Sequence, residues 1–363
     1  MASRSEFYRG KRKRSGPTFV ISLVVITLVA LVILLFYGLQ KYIVISDGGL
    51  RLDIPMLSDG SSEDTGSRVF EPVSAELIIG EPDYDNVKAV AGEGLEAIRA
   101  LFVPSDKINA ESLNACVQKL GDNNALMLEL KTSTGLLAWH SGVHIAEAYG
   151  TTGDTELAPL ISELKSQGIY LIAQLCCLTD NALADRYPQL SLHTQDGAPF
   201  SDSDGAWLDP YSAEVRGYIT ELCSELADMG FDEVVLTDLR HPVSSDGKTF
   251  IYSGSTSTEP TVMGAVSSFA MNVSRKLRTS GLRVSVMVDG STLDVGENTE
   301  NGQNMKLLYK VFDRAYASCP SSDAAAALVK ATAFVELGDA NARFVPVCYG
   351  STPPTGCSVT VGS

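Results

Sequence analysis

The chain has 363 residues, of which 45% are hydrophobic and 20% charged, and it carries a formal net charge of −16. That length and balance fit one large α/β domain of about 250 residues with appendages, and exclude a disordered chain. The charge is uneven: Arg4, Arg9, Lys11, Arg12, Lys13 and Arg14 against Glu6 give +5 ahead of the first apolar run and leave −21 for the rest, which excludes nucleic acid and anionic polymers as general partners.

Residues 18–37, TFVISLVVITLVALVILLFY, form a run of twenty without one charge. As a helix rising about 1.5 Å per residue it matches the roughly 30 Å hydrocarbon core of a membrane. A transmembrane anchor is therefore expected over 18–38. A cleaved signal peptide is the alternative, but the run exceeds a typical apolar signal region and no small-residue cleavage site follows in GLQKYIVIS. The basic cluster KRKR keeps the 1–17 tail in the cytoplasm, so the chain is expected to cross the cell membrane once and lie outside after about residue 40. Residues 39–90 read as an extracytoplasmic linker, with a short strand and turn in 42–55 and a polar stretch rich in Ser, Gly and acids over 56–74.

From residue 91 onward strands and helices alternate, the pattern of a parallel sheet wrapped by helices. Strands are expected around 101–103, 125–131 and 169–178, with helices over 109–120 and 156–167 between them. IYLIAQLCCL (169–178) is apolar throughout, as burial on both faces requires. A long loop over 179–211 follows, and a connection of that size is more often functional than accidental. A helix over 212–230 leads to a strand at 234–236. Beyond it come a helix over 262–278, a strand over 282–289, a helix over 303–312 and a strand over 314–318. An Ala-rich helix over 323–337 and a strand over 342–349 complete seven strands, and an eighth is sought in 358–361. The fold class is an α/β barrel of the (β/α)8 TIM type, irregular or incomplete, over residues 91–363.

MGFDEVVLTDLRHP (229–242) packs a helix end, a buried strand and a polar strand tip into fourteen residues. Gly230 stops the helix, and Thr237, Asp238, Arg240 and His241 gather at the C-terminal end of the strand, where an α/β barrel keeps its chemistry. Seven cysteines show no C-x-x-C or His-paired spacing, so no metal or other cofactor is expected. Cys348 with Cys357 is the one pair worth testing as a disulfide.

The order of these motifs resembles the putative glycosyl hydrolase domain, a barrel family related to the α-amylase-like glycosidases. The resemblance runs from about residue 99 to 349 and is carried by NALMLELKTSTG (124–135), LKSQGIYLIAQLCCLTD (164–180), WLDPY (207–211), GFDEVVLTDLRHP (230–242), LRVSVMVDG (282–290) and the pair Gly302 and Gln303. Glu129, Lys131, Asp180, Trp207, Asp209, Tyr211 and Arg240 match the family's pattern. Five positions depart from it. The acid of the family's GFDEIQFDYIRFP-like strand falls on Thr237, with Asp238 in the place of its Tyr; the next strand's acid falls on Met287; and Gln174 and Thr179 stand where the family has Arg and Lys. The chain thus resembles a divergent member.

What the resemblance implies is hydrolysis of a polysaccharide or cell-wall glycan outside the membrane. That chemistry uses two carboxyl groups flanking the bond. The candidates are Asp238, Asp289 and Glu129, on different strands. Asp289 shares strand parity with Met287 and can replace the missing acid one pleat higher; Asp238 has opposite parity to Thr237 and reaches the mouth only where a bulge or the strand end redirects it. The alternatives are that Asp238 caps a loop or pairs with Arg240, and that Asp289 makes a turn with Gly290. Glu129 and Lys131 lie on one strand face and read as a buried ion pair as readily as a catalytic one. Trp207 and Tyr211, flanking Asp209, are expected either to present an aromatic platform to a sugar or to lead into a helix capped by Asp209 or Ser212. Trp139 and His140 are further candidates to line the mouth. Lys131, Asp180, Trp207, Asp209, Tyr211, Arg240 and His241 form the expected substrate-binding set. A barrel that has lost its acid pair and only binds glycan or a protein partner is the competing reading.

Overall fold

A computed structural model describes residues 43–46, 49–52, 87–243, 249–252, 254–255, 260–349 and 359–362. The chain divides into two units, Met1–Val73 and Ser74–Ser363. In the first, Ile43–Ser46 and Gly49–Leu52 pair antiparallel with Ile45 opposite Leu50. The expected anchor over 18–38 lies outside the described residues, and among those residues no helix is long and apolar enough to cross a membrane. Cys357, and with it the expected pairing to Cys348, also lies outside the described residues.

The second unit is an α/β fold built on a curled parallel sheet. Its seven main strands are β1 (Arg99–Val103), β2 (Ala125–Lys131), β3 (Tyr170–Cys176), β4 (Glu233–Thr237), β5 (Arg283–Met287), β6 (Ala315–Ser318) and β7 (Phe344–Tyr349). An eighth, β8 (Val359–Gly362), pairs with β7 through Val347 and Thr360 and with β1 through Val359 and Arg99, which closes the ring in sequence order. The helices between strands are α1 (Ala110–Gln118), α2 (His144–Tyr149), α3 (Leu157–Ser166), α4 (Asn181–Arg186), α5 (Ala213–Met229), α6 (Val262–Leu277), α7 (Gly290–Val295), α8 (Met305–Val311), α9 (Ala324–Thr332) and α10 (Ala340–Arg343). The short α2, α4, α7 and α10 went unread in the sequence, and the Ala-rich helix ends at Thr332, five residues before the expected 337.

Strand parity sorts the core into two layers. Leu126, Leu128 and Leu130 of β2 face the helices, with Leu171, Ala173 and Leu175 of β3 and Val234 and Leu236 of β4. Ala125 and Met127, Ile172, Val235, Tyr316, Val345 and Val347 fill the barrel interior. Both faces are dry, which is why these strands read as continuous apolar runs. At the N-terminal end of the barrel the interior closes on Glu233, fully buried, which accepts from Ser285 Oγ at 2.6 Å, Tyr316 OH at 2.8 Å and Tyr170 OH at 3.0 Å and pairs with Arg314. A network satisfied on every side at that end braces the fold and leaves the C-terminal end free for chemistry.

Candidate active site

The inward residues one layer above Met127, Ile172 and Val235 are Glu129, Gln174 and Thr237, with Cys176 above Gln174. Met287 packs on the same inner layer. The two positions where the family pattern carries acids, Thr237 and Met287, therefore do face the barrel axis, and both lack a carboxyl group.

Asp238 makes up for its parity through its backbone. Its φ of 49° is the one positive value outside glycine among the described residues. Asp tolerates this left-handed conformation better than most residues, and such strain gathers at functional sites. The turn brings Oδ2 back over the barrel, where Thr179 Oγ1 lies at 3.3 Å and Cys176 Sγ at 3.2 Å. Burial, opposed by Lys131 and assisted by Asp238, pushes the Cys176 thiol up to about 12, so it stays protonated as a donor.

Asp238 Oδ1 faces Arg240 at 3.3 Å, and the same guanidinium reaches Asp289 Oδ1 at 3.6 Å and Asp204 Oδ2 at 2.7 Å. Burial works against the arginine's charge, but its hydrogen bond to Asp204 and the charges of Asp289 and Asp238 outweigh it and raise its pKa. One cation thus gathers three carboxylates from three segments. Asp289 sits at the start of α7 without capping it by side chain; instead Oδ2 accepts from Asn301 Nδ2 at 2.9 Å. Gln303 fixes that corner, accepting from Asp289 N at 3.0 Å and donating to the carbonyls of Leu239 and Met287, each at 3.2 Å. Gly302, at φ 78°, precedes it where a Cβ would lie 2.7 Å from Val266 Cγ2, which accounts for the glycine of that pair.

The ion pair of Glu129 with Lys131, one of the two readings of that strand face, does not form. The β2–β3 register shifts between these residues, and the bulge aims Lys131 at Asp180 Oδ2, 2.9 Å away, and at the carbonyl of Cys176, also 2.9 Å. Both members of the pair are fully buried. Burial alone would lower the Lys131 pKa, but the Asp180 carboxylate reverses this and holds it above its ordinary value. Asp180 Oδ1 also caps α4, accepting from Leu183 N at 2.8 Å. Glu129 accepts from Ser105 N at 3.1 Å, in the loop after β1. Gly135, at φ 84°, lets the β2 loop cross Asp180: a Cβ there would stand 2.0 Å from Oδ1. Gly135→Ala is expected to destabilise the fold by about 1–3 kcal/mol, seen as a lower urea midpoint at unchanged slope.

The long connection after β3 folds onto the mouth. It carries α4 and a two-residue strand, His193–Thr194, paired with Phe250–Ile251. Trp207 is wholly buried, and its ring is the floor beneath the Arg240 guanidinium, 4.9 Å from the ring centroid. Tyr211 is buried against Tyr252 at a centroid distance of 5.3 Å. Asp209 stitches the loop by accepting from Tyr211 N at 2.8 Å and Gly254 N at 2.9 Å, and Ser212 is the residue that caps α5. Trp139 packs in the outer layer, its Nε1 donating to Glu225 of α5 at 3.0 Å, and so does not line the mouth; the exposed His140 is tied by its backbone amide to Thr155 O.

His241 is buried beside Arg240. A carbonyl can only accept, so Nδ1 donates to Pro242 O at 3.0 Å, and Nε2 accepts from Tyr252 OH at 2.9 Å. Burial lowers its pKa to about 4. The unfolded chain takes up this proton near pH 6.5 and the folded chain resists until about pH 4. The stability His241 contributes is therefore present above 6.5 and lost as pH falls through that window, by up to ~3 kcal/mol. His241→Gln is expected to flatten the pH dependence of the urea midpoint between pH 6.5 and 4.

Three contributors escaped sequence reading: Asp204, Asn301 and Cys176. Asp204 lies in SDSDG, which reads as any polar turn, and Asn301 in ENTENGQ, whose only signal is the following Gly302 and Gln303. Cys176 reads as one more buried apolar residue of its strand.

A structural comparison places the glycoside hydrolase domain of PgaB (BpsB) from Bordetella bronchiseptica over 74% of this chain and 94% of that one, at 15% identity and a TM-score of 0.52. At that identity the likeness concerns the fold. A hypothetical protein from Ruminiclostridium thermocellum covers 51% of this chain and 96% of its own length, at 21% identity and a TM-score of 0.45. Comparison with curated proteins finds no sequence match. The family model described as putative glycosyl hydrolase domain matches residues 100–319, the span that holds β1 to β6 and every side chain placed at the mouth above. Covering more than half of the sequence, that match identifies the chain as a member of the putative glycosyl hydrolase domain family.

Proposed function

We propose that the protein is a glycoside hydrolase that cleaves a polysaccharide outside the cell membrane, to which its N-terminal segment anchors it. The observation that carries the reading is the gathering of Asp238 and Asp289, from consecutive strand tips, around Arg240. Both carboxylates stay partly open, with side chains 29% and 38% exposed, whereas Asp180 is sealed. Hydrolysis of a glycosidic bond needs one carboxyl group to give a proton to the leaving oxygen and another, ionised, to attack the sugar carbon or activate water. Asp238, oriented by Thr179, Cys176 and Arg240, is the ionised partner. Asp289 lies beside it and stabilises positive charge as it develops on the sugar. Glu129, which accepts from Ser105 N, is assigned the role of proton donor: its proton passes to the leaving oxygen as the bond breaks, and water later supplies the hydroxyl group and restores the proton. Lys131, Asp180, Trp207, Asp209, Tyr211 and His241 position the mouth from below, and Arg240 meets substrate hydroxyls.

The anchored topology is supported by the uncharged run at 18–37 and the basic cluster before it. Protease added to sealed cells is expected to remove residues beyond 40 and spare the tail; protection of the barrel would overturn this topology. For the chemistry, Glu129→Gln is expected to lose most turnover on glycans yet keep it on aryl glycosides whose leaving group needs no proton. Equal losses on both would remove Glu129 from that role.

A second reading is favoured by Thr237 and Met287, which put no carboxyl group at the inward positions where the family pattern has one. On that reading the barrel binds glycan or a protein partner without cleaving it. Turnover abolished by a single carboxylate substitution would exclude it.

A further inference from the structure

Beside the mouth runs a groove of about 580 Å³, lined in part by His241, Val243, Phe250, Tyr252, Thr299 and Glu300. Cavities of this size are ordinary for ligands of several rings. The wall of the groove is tied to the acid site. His241 follows Arg240 directly, its backbone amide donates to Asn301 O at 2.7 Å, and Asn301 holds Asp289. The wall residue His241 is thus the chain neighbour of Arg240, which pairs with Asp238 and Asp289.

The chemistry of the wall selects what those units are. Phe250 and Tyr252 offer half-buried rings, Val243 is 50% exposed, and Thr299 and Glu300 stand at the rim. Sugar rings pair this way with protein, an apolar face against an aromatic ring and hydroxyls toward polar tips. Among the described residues that line the groove there is no Lys or Arg, Glu300 is the one acid, and buried His241 is neutral above about pH 5 by its depressed pKa of about 4. An anionic unit would meet no counter-charge from these described residues. The rings are also held in place before any ligand arrives: Phe250 meets His241 and Phe200 edge-on, each at 4.9 Å between centroids, Tyr252 donates to His241 Nε2, and Phe250 pairs in the small sheet with Thr194. Preorganised walls lose little entropy on binding.

We propose that this groove is a second carbohydrate site, which takes uncharged pyranose units of the same glycan next to the bond cleaved at the mouth. The proposal rests on the glycosidase reading for the identity of the glycan, and on the groove alone for the site.

The test uses the full chain and calorimetric titration with disaccharides and pentasaccharides of glucose, N-acetylglucosamine and galactose, and with pentagalacturonate. At least one uncharged pentasaccharide is expected to bind about tenfold more tightly than its disaccharide, with no binding of the uronate. Phe250→Ala removes a ring, and Thr299→Trp fills the groove from an exposed position where folding is not at stake. Each is expected to collapse the ratio of the two affinities toward one. A ratio that survives both variants, a uronate that binds as well as the neutral chain, or no saccharide binding at all overturns the proposal. Turnover is measured in parallel. A length dependence that responds to the groove variants in a chain that cleaves nothing would sink the hydrolase reading and keep the groove; turnover with a length dependence indifferent to both variants would do the reverse.

Discussion

Asp238→Asn is expected to lower kcat on the glycan substrate by about 10²–10⁴ while leaving the fold intact. Asparagine is the residue that best keeps the φ of 49° at this position, since it shares with aspartate a tolerance of the left-handed region. Its side-chain oxygen can still accept from Arg240 or from Thr179. What it loses is the negative charge that either attacks the sugar or takes a proton from water. Asp238→Ala would confound this by adding backbone strain, so the asparagine variant is the informative one. The urea midpoint is expected to stay near that of the wild type as turnover falls, and a kcat within a factor of two of wild type would remove Asp238 from the chemistry.

Lys131→Met is expected to cost about 3–5 kcal/mol, because it leaves the Asp180 carboxylate with its charge sealed in the barrel wall. The pair at 2.9 Å is weak evidence for net stabilisation, but breaking one side is expensive whatever the pair itself contributes. Asp180→Asn in the same chain removes the stranded charge and keeps an oxygen for the cap to Leu183 N. The double variant should therefore recover most of the loss, and urea unfolding of the two variants measures the difference directly. Equal stability of Lys131→Met and wild type would mean that Asp180 finds solvent or a proton, and that the bulge does not seal it.

The barrel was legible because burial on both faces writes itself into a strand as an uninterrupted apolar run. IYLIAQLCCL and ALMLELK could be little else, and Gly230 marked where a helix stops. The site was legible in composition and less so in geometry. Asp238 was expected to need a redirecting kink, but nothing in TDLRHP fixes its sign, and the positive φ supplies it. Glu129 and Lys131 looked like partners on one face until a register shift of the sheet separated them; bulges depend on the neighbouring strand and leave little trace in their own. Trp207 could be read either as a platform for a sugar or as the lead-in to a capped helix, because the size of a ring is visible in sequence and the loop that covers it is not. In the structure it lies under Arg240 rather than under solvent. Asp204 carries no local signal at all, since an acid in a Ser, Asp and Gly turn is ordinary until an arginine 36 residues further along the chain folds over it.

The central claim is that the carboxylates gathered by Arg240 cleave a glycan. Its most direct test is the release of new reducing ends by the full wild-type chain from a panel of uncharged cell-surface polysaccharides. Turnover on at least one of them, absent from the Asp238→Asn chain assayed beside it, is the predicted result. Tight binding to a glycan with no new reducing ends across the panel would contradict it and leave the barrel as a binding protein.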